Sequence, residues 1–191
     1  MLNVARVAPH VSMDRRSRLK DLIAEQSVIR GREMRLASGG TTNIYFNLKK
    51  TMFDPEGSNL IAEAFLDILK DQEVDCIGGL AMGAVPIIAA VCVRSISDRP
   101  IPGFFVRKEI KEHGTKALID GRFEKGSNVV LLDDVTTTGG SVLVAVRAVR
   151  ENEGHVSKVI TLVDRQEGAR ENLEKEGIEL MAVYTKDEFP A

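Results

Sequence analysis

Two adjacent acids, Asp133 and Asp134, are followed by Val135 and then by Thr136, Thr137, Thr138, Gly139, Gly140 and Ser141. Carboxylates accept hydrogen bonds from sugar hydroxyls, and beside a reacting centre they stabilise developing positive charge. A turn rich in hydroxyls and glycine can point several backbone N–H groups at one anion. No Lys precedes Ser141, so this is not a Walker-type loop, and the G-x-G-x-x-G spacing of dinucleotide sites is missing. What remains is a cradle for a phosphomonoester, with acids placed to meet a sugar.

The flanking residues say how such a cradle is held. Val129, Val130, Leu131 and Leu132 are four consecutive apolar residues, as expected of a strand covered on both faces in a parallel sheet. The acids then fall where that strand ends, the usual place for chemistry in an open α/β sheet. Val142, Val144, Ala145, Val146, Ala148 and Val149 fit a helix whose N-terminus adds partial positive charge to the cradle.

Strand and helix alternate around this unit. Val74 to Gly78 reads as a strand, Gly79 to Gly83 as a loop and Pro86 to Val93 as an apolar helix. Pro100 to Val106 reads as a strand leading into a polar stretch from Arg107 to Lys125. Val156 to Val163, Gly168 to Glu176 and Ile178 to Tyr184 read as strand, helix and strand. This order predicts an α/β fold with a mostly parallel sheet and right-handed crossovers. Upstream, Leu19, Leu22, Ile23 and Val28 predict a helix from Asp14 to Ile29 ending near Gly31. Glu33 to Leu48 reads as a strand pair around Ser38 to Thr42, and Ser58 as the N-cap of a helix carrying Leu60 to Leu69. Met1 to Val11 has no periodicity and reads as a tail.

The chain has 191 residues, a net charge of −2 and 43% apolar residues, which suits one domain and gives no electrostatic case for nucleic-acid or membrane binding. Cys76 and Cys92 lie in apolar segments and read as two buried free thiols. No apolar run approaches a membrane span and no signal-peptide core is present, so the expected location is cytoplasmic.

Val129 to Ser141 resembles the signature of type I phosphoribosyltransferases, which bind phosphoribosyl pyrophosphate (PRPP). The resemblance implies a central sheet flanked by helices, with an N-terminal hood from about 14–50 on a core of about 58–191. It also implies that Val135 and Thr136 to Ser141 hold the 5-phosphate. Asp133 and Asp134 would meet the ribose hydroxyls and assist a Mg²⁺ carried by PRPP, with no direct metal ligand set in the protein. The spacing Arg107-Lys108-x-x-Lys111-x-His113-Gly114 resembles that of orotate phosphoribosyltransferases. In those enzymes the basic stretch is a mobile loop acting on the neighbouring subunit of a homodimer. Lys108, Lys111 and His113 would neutralise the leaving pyrophosphate, with Arg107 at the base of the loop. Closure would exclude water from the reacting carbon.

Within the same resemblance, Arg165 in Val163-Asp164-Arg165-Gln166-Glu167 would contact the carboxylate of orotate, with Thr137 as a second contact to the base. Leu36 to Gly39 with Ile44-Tyr45-Phe46 is similar to the family's hood, and either Tyr45 or Phe46 would stack on the pyrimidine. Ala37 and Gly83 stand where relatives often carry Lys. The expected activity is orotate phosphoribosyltransfer, giving orotidine 5-monophosphate and pyrophosphate in pyrimidine synthesis, without a fused decarboxylase. The alternatives are transfer to another base, or a PRPP-sensing regulator that binds nucleic acid. Retention of the basic loop and the lack of a basic surface weigh against the regulator.

Overall fold

The computed structural model describes residues 13–35, 41–108 and 118–189. The N-terminal tail, the hood residues Leu36 to Gly40 and the basic-loop residues Lys111, His113 and Gly114 lie outside them.

The longest strands stand side by side. Strand β6 (Asn128–Thr136) lies between β3 (Cys76–Gly78) and β7 (His155–Asp164), and β8 (Glu179–Thr185) follows β7, all parallel. Strand β4 (Phe104–Val106) joins β3 through the parallel bridges Ile77 to Gly103 and Leu80 to Val106, and pairs antiparallel with β5 (Ile119–Gly121). Pleating sends successive side chains to opposite faces. Val130 and Leu132 therefore join one core with helices α3 (Pro55–Leu69) and α4 (Val85–Ser95), and Val129 and Leu131 another with α5 (Gly140–Glu151) and α6 (Ala169–Glu174).

The hood is a two-stranded antiparallel pair, β1 (Val28–Arg35) and β2 (Thr41–Phe46). Ile44, Phe46 and Leu48 anchor it in the first core, and Phe46 meets Phe189 edge to face at 5.4 Å. Beyond β2, the short helix α2 (Lys49–Met52) is tied back by the Ser27 and Thr51 hydroxyls, 2.7 Å apart and both buried. Helix α1 (Met13–Leu22) crosses to the far edge of the sheet. There Arg16 donates to the Val183 carbonyl at 3.0 Å and pairs with Glu188, while the Tyr184 hydroxyl donates to the Arg16 carbonyl at 2.6 Å.

Three elements and one thiol differ from the sequence expectation. α1 widens into a π-helical turn at Ile23–Ser27 and gives way to β1 at Val28, because Val28 and Ile29 pair with Phe46 and Tyr45. The N-cap of α3 is Asp54, not Ser58: its carboxylate accepts from Gly57 N at 2.8 Å, with Pro55 at the first helical position. β5 was hidden in the polar stretch, since three residues with one apolar side chain carry no alternation. Of the two free thiols, Cys76 is buried and pushed up to about 11 by desolvation, whereas Cys92 is only half-buried.

The three-residue β3 ends in close packing. A Cβ on Gly78 would stand 2.2 Å from the Phe104 ring. Gly78→Ala is therefore expected to destabilise the fold by about 1–3 kcal/mol through overpacking. Urea unfolding would show this as a lower midpoint at unchanged slope.

Candidate active site

The site follows from an inequality of strand lengths. β3 accompanies β6 only as far as Leu131, while β7 continues beside it to Thr136. From Leu132 onward β6 has a partner on one edge alone, and a crevice opens on the other. Asp133 and Asp134 thus lie within β6, which runs on to Thr136, and not at its end as the sequence suggested. The crevice is a cavity of about 380 Å³ lined by Tyr45, Phe46, Lys49, Asp133 to Ser141 and Arg165.

Asp133 is 7% exposed. Burial, and then the neighbouring Asp134 charge, push its carboxyl well above the usual carboxylate range, while Lys49 pulls it back. Asp134 Oδ1 accepts from Val135 N at 2.9 Å, which fixes its carboxylate. The loop after β3 brings Gly83 against the pair: a Cβ there would stand 2.6 Å from Asp134 Oδ1 and 3.4 Å from Asp133 Oδ1. A side chain at this position would have to displace the Asp134 carboxylate, so the glycine lets the backbone approach the acids closely.

Past the acids the chain turns through Thr136 to Ser141 into α5. Gly139 takes φ +81°, a left-handed conformation, and caps the twelve-residue helix. The first N–H groups of a helix have no partner within it, so they and the helix dipole face the cavity together. Asn172 Nδ2 donates to the Thr138 carbonyl at 3.0 Å and braces the turn from α6. Among the described residues the buried Thr136 hydroxyl finds no hydrogen-bond partner.

The opposite wall carries the hood and the end of β7. Phe46 is 5% exposed and packed on Phe189, whereas Tyr45 is 41% exposed. Of the two aromatics, Tyr45 is the one with a free face. Arg165 is 3% exposed; its N–H donates to the Thr136 carbonyl at 2.9 Å, tying the wall to the cradle. Glu167 Oε1 accepts from Arg165 Nε at 3.1 Å and Nη2 at 2.9 Å, and Lys186 lies 3.4 Å from the same oxygen. The guanidinium is thereby fixed on the cavity wall.

The basic candidates are placed elsewhere. Arg107 pairs with Asp120 across the β4–β5 ladder, and Lys108 is exposed just beyond β4. Neither lines the cavity of its own chain. Lys111 and His113 lie outside the described residues. Lys49 was missed, because Lys49-Lys50 reads in sequence as an ordinary solvated turn.

Among the described residues no cluster of three or more His, Cys, Asp or Glu could hold a metal. Two adjacent carboxylates do suit Mg²⁺ when substrate oxygens and water complete its octahedral shell. Asp133 and Asp134 therefore fit a magnesium ion that arrives with a phosphorylated ligand.

An acid pair with Asp133 buried and Asp134 half-buried at an open strand edge, with a helix-capped turn beside it, agrees with a family match. Residues 52–186 match the phosphoribosyl transferase domain, and the chain belongs to that family. An orotate phosphoribosyltransferase of Rhodopseudomonas palustris (strain BisB5) is 48% identical over 179 residues, covering 91% of this chain and 95% of its own. One from Methanocaldococcus jannaschii is 45% identical over 177 residues, covering 93% and 98%. The crystal structure of the Mycobacterium tuberculosis orotate phosphoribosyltransferase in complex with PRPP superposes with a TM-score of 0.78 at 33% identity, covering 93% of this chain and 99% of that one. Within its class the chain is a member of the orotate phosphoribosyltransferase family.

Gly83→Ala is expected to lower kcat/KM for PRPP by about tenfold or more, since the Asp134 carboxylate must rotate off Val135 N–H to admit the methyl group. Thermal unfolding should move by only a few degrees, because Gly83 lies in a loop outside both cores.

Proposed function

We propose that the chain transfers the ribosyl 5-phosphate group of PRPP to orotate, releasing pyrophosphate and forming orotidine 5-monophosphate for pyrimidine synthesis. The observation that carries this reading is the single cavity that joins the Asp133–Asp134 pair, the Thr136–Ser141 cradle and Arg165.

The residues divide the work by charge. The cradle, with Val135, Thr136, Thr137, Thr138, Gly139, Gly140 and Ser141, takes the 5-phosphate on backbone N–H groups and hydroxyls at the start of α5. The unpartnered Thr136 hydroxyl supplies one donor there. Asp133 and Asp134 accept from the ribose hydroxyls. As the bond to pyrophosphate lengthens, positive charge builds on the ribose carbon, and these carboxylates stabilise it at close range. Mg²⁺ bound to the substrate would neutralise phosphate charge and orient the pyrophosphate. Arg165 meets the orotate carboxylate, held in plane by Glu167, and Thr137 is the second contact to the base. Tyr45, with its free face, is the ring that stacks on the pyrimidine.

The leaving pyrophosphate is assigned to Arg107, Lys108, Lys111 and His113. Because Arg107 and Lys108 stand outside the cavity of their own chain, we place the basic stretch over the site of a second copy in a homodimer. A single catalytic domain in the cytoplasm is part of the same reading.

An assay of PRPP consumption with orotate, with hypoxanthine or adenine, and with and without Mg²⁺ tests the function. Turnover is expected with orotate and Mg²⁺ alone; turnover on a purine and none on orotate would overturn the assignment. Tight, specific nucleic-acid binding without turnover would instead point to a regulator. Two variants separate the roles: Lys111→Ala should lower kcat at little change in KM for orotate. Arg165→Ala should chiefly raise KM for orotate, by roughly tenfold or more.

A further inference from the structure

Lys49 lines the same cavity and has been given no task. Its backbone is held firmly: Leu48 before it is 1% exposed, and Thr51 and Met52 after it are 0% and 3% exposed. Thr51 is further bound to Ser27 through both its hydroxyl and its N–H, the latter at 3.2 Å from Ser27 Oγ. The Lys49 side chain is exposed, yet it reaches into the crevice from the hood. Its position is set by buried neighbours while its ammonium stays free to meet a ligand.

The chemistry of the reading above, on which this inference rests, calls for a cation at that place. Orotate bears its carboxylate on the ring carbon next to the nitrogen that attacks the ribose. In a productive pose the carboxylate therefore lies beside the ribose, close to the acids that hold the ribose hydroxyls. A substrate anion next to Asp133 and Asp134 is repelled unless a cation stands on the same side. Among the described residues two side-chain cations line the cavity, Lys49 and Arg165. Arg165 commits Nε and Nη2 to Glu167, and its Nη1 donates to the Ile44 carbonyl at 3.4 Å, so reaching a substrate carboxylate requires it to share these donors. Lys49 adjoins Asp133 closely enough for its charge to act on that carboxylate. No cation is available from position 83, where a Cβ would already collide with Asp134.

We propose that Lys49 is a specificity-determining residue: its ammonium takes one oxygen of the pyrimidine carboxylate, Arg165 takes the other, and together they select a 6-carboxylated base. A compact ammonium on a flexible stem suits this role, since it needs no fixed fork geometry.

The test compares the unmodified enzyme with Lys49→Met and Lys49→Arg on orotate and on uracil, which lacks the carboxylate. Lys49→Met is expected to raise KM for orotate by roughly tenfold to a hundredfold and leave KM for PRPP within about twofold. The preference for orotate over uracil should shrink by the same factor, and Lys49→Arg should restore most of it. A purely structural role would lower activity on both bases alike, and that outcome overturns the proposal. So does an unchanged orotate KM, or a rise in the PRPP KM in its place, which would assign the ammonium to a phosphate. Failure of the unmodified enzyme to use orotate at all would overturn the underlying function instead, so the two failures are distinct.

Discussion

The arrangement depends on β6 having two neighbours for its first half and one for its second. Where both β3 and β7 flank it, Val129 to Leu131 satisfy their backbone groups and bury side chains on both faces. Where β3 has ended, the same strand still has the rigidity of its β7 pairing but presents an open edge. Rigid backbone beside open space is what carboxylates need if they are to be fixed and yet reach a ligand. At the last residue of β3, Gly78 packs directly under the Phe104 ring of β4, so the lack of a side chain there lets the two short strands stand close beside the open edge.

Electrostatically, the site is a junction of unlike demands. On the proposed reading, the cradle takes a phosphate, the acids a sugar, and the far wall an anion. Lys49 and Arg165 stand on that wall, and the N-terminus of α5 stands at the cradle. Positive groups therefore face the acid pair from two directions, while burial and the Asp134 charge still push the Asp133 carboxyl up.

The cradle was legible because it is local: a run of apolar residues, two acids, three threonines and two glycines are contiguous, and turn chemistry acts over a few residues. Arg165 was placed from its position at a strand end, but its partner Glu167 depends on side-chain direction and its backbone bond to the Thr136 carbonyl on the register of β7 against β6, neither of which the sequence shows. The extent of β6 was underestimated because acids are poor strand formers in isolation; a ten-residue neighbour overrode that preference. α1 was overextended for the converse reason, as Val28 and Ile29 fit a helical period equally well until β2 pairs with them. Lys49 was invisible because only the return of the hood onto the sheet brings residue 49 near residue 133, and nothing in the turn itself signals that return.

The clasp between α1 and β8 also joins distant parts of the chain. Arg16 is held by Val183 and Glu188, and Tyr184 closes onto the Arg16 carbonyl. These partners stand 167 to 172 residues apart in sequence. Holding them together closes most of the chain into one loop, a cost in chain entropy that a local contact does not carry. The helix leading to the wall that bears Tyr45 and Lys49 is thereby seated on the opposite edge of the sheet, and the order of that wall is coupled to the order of β8.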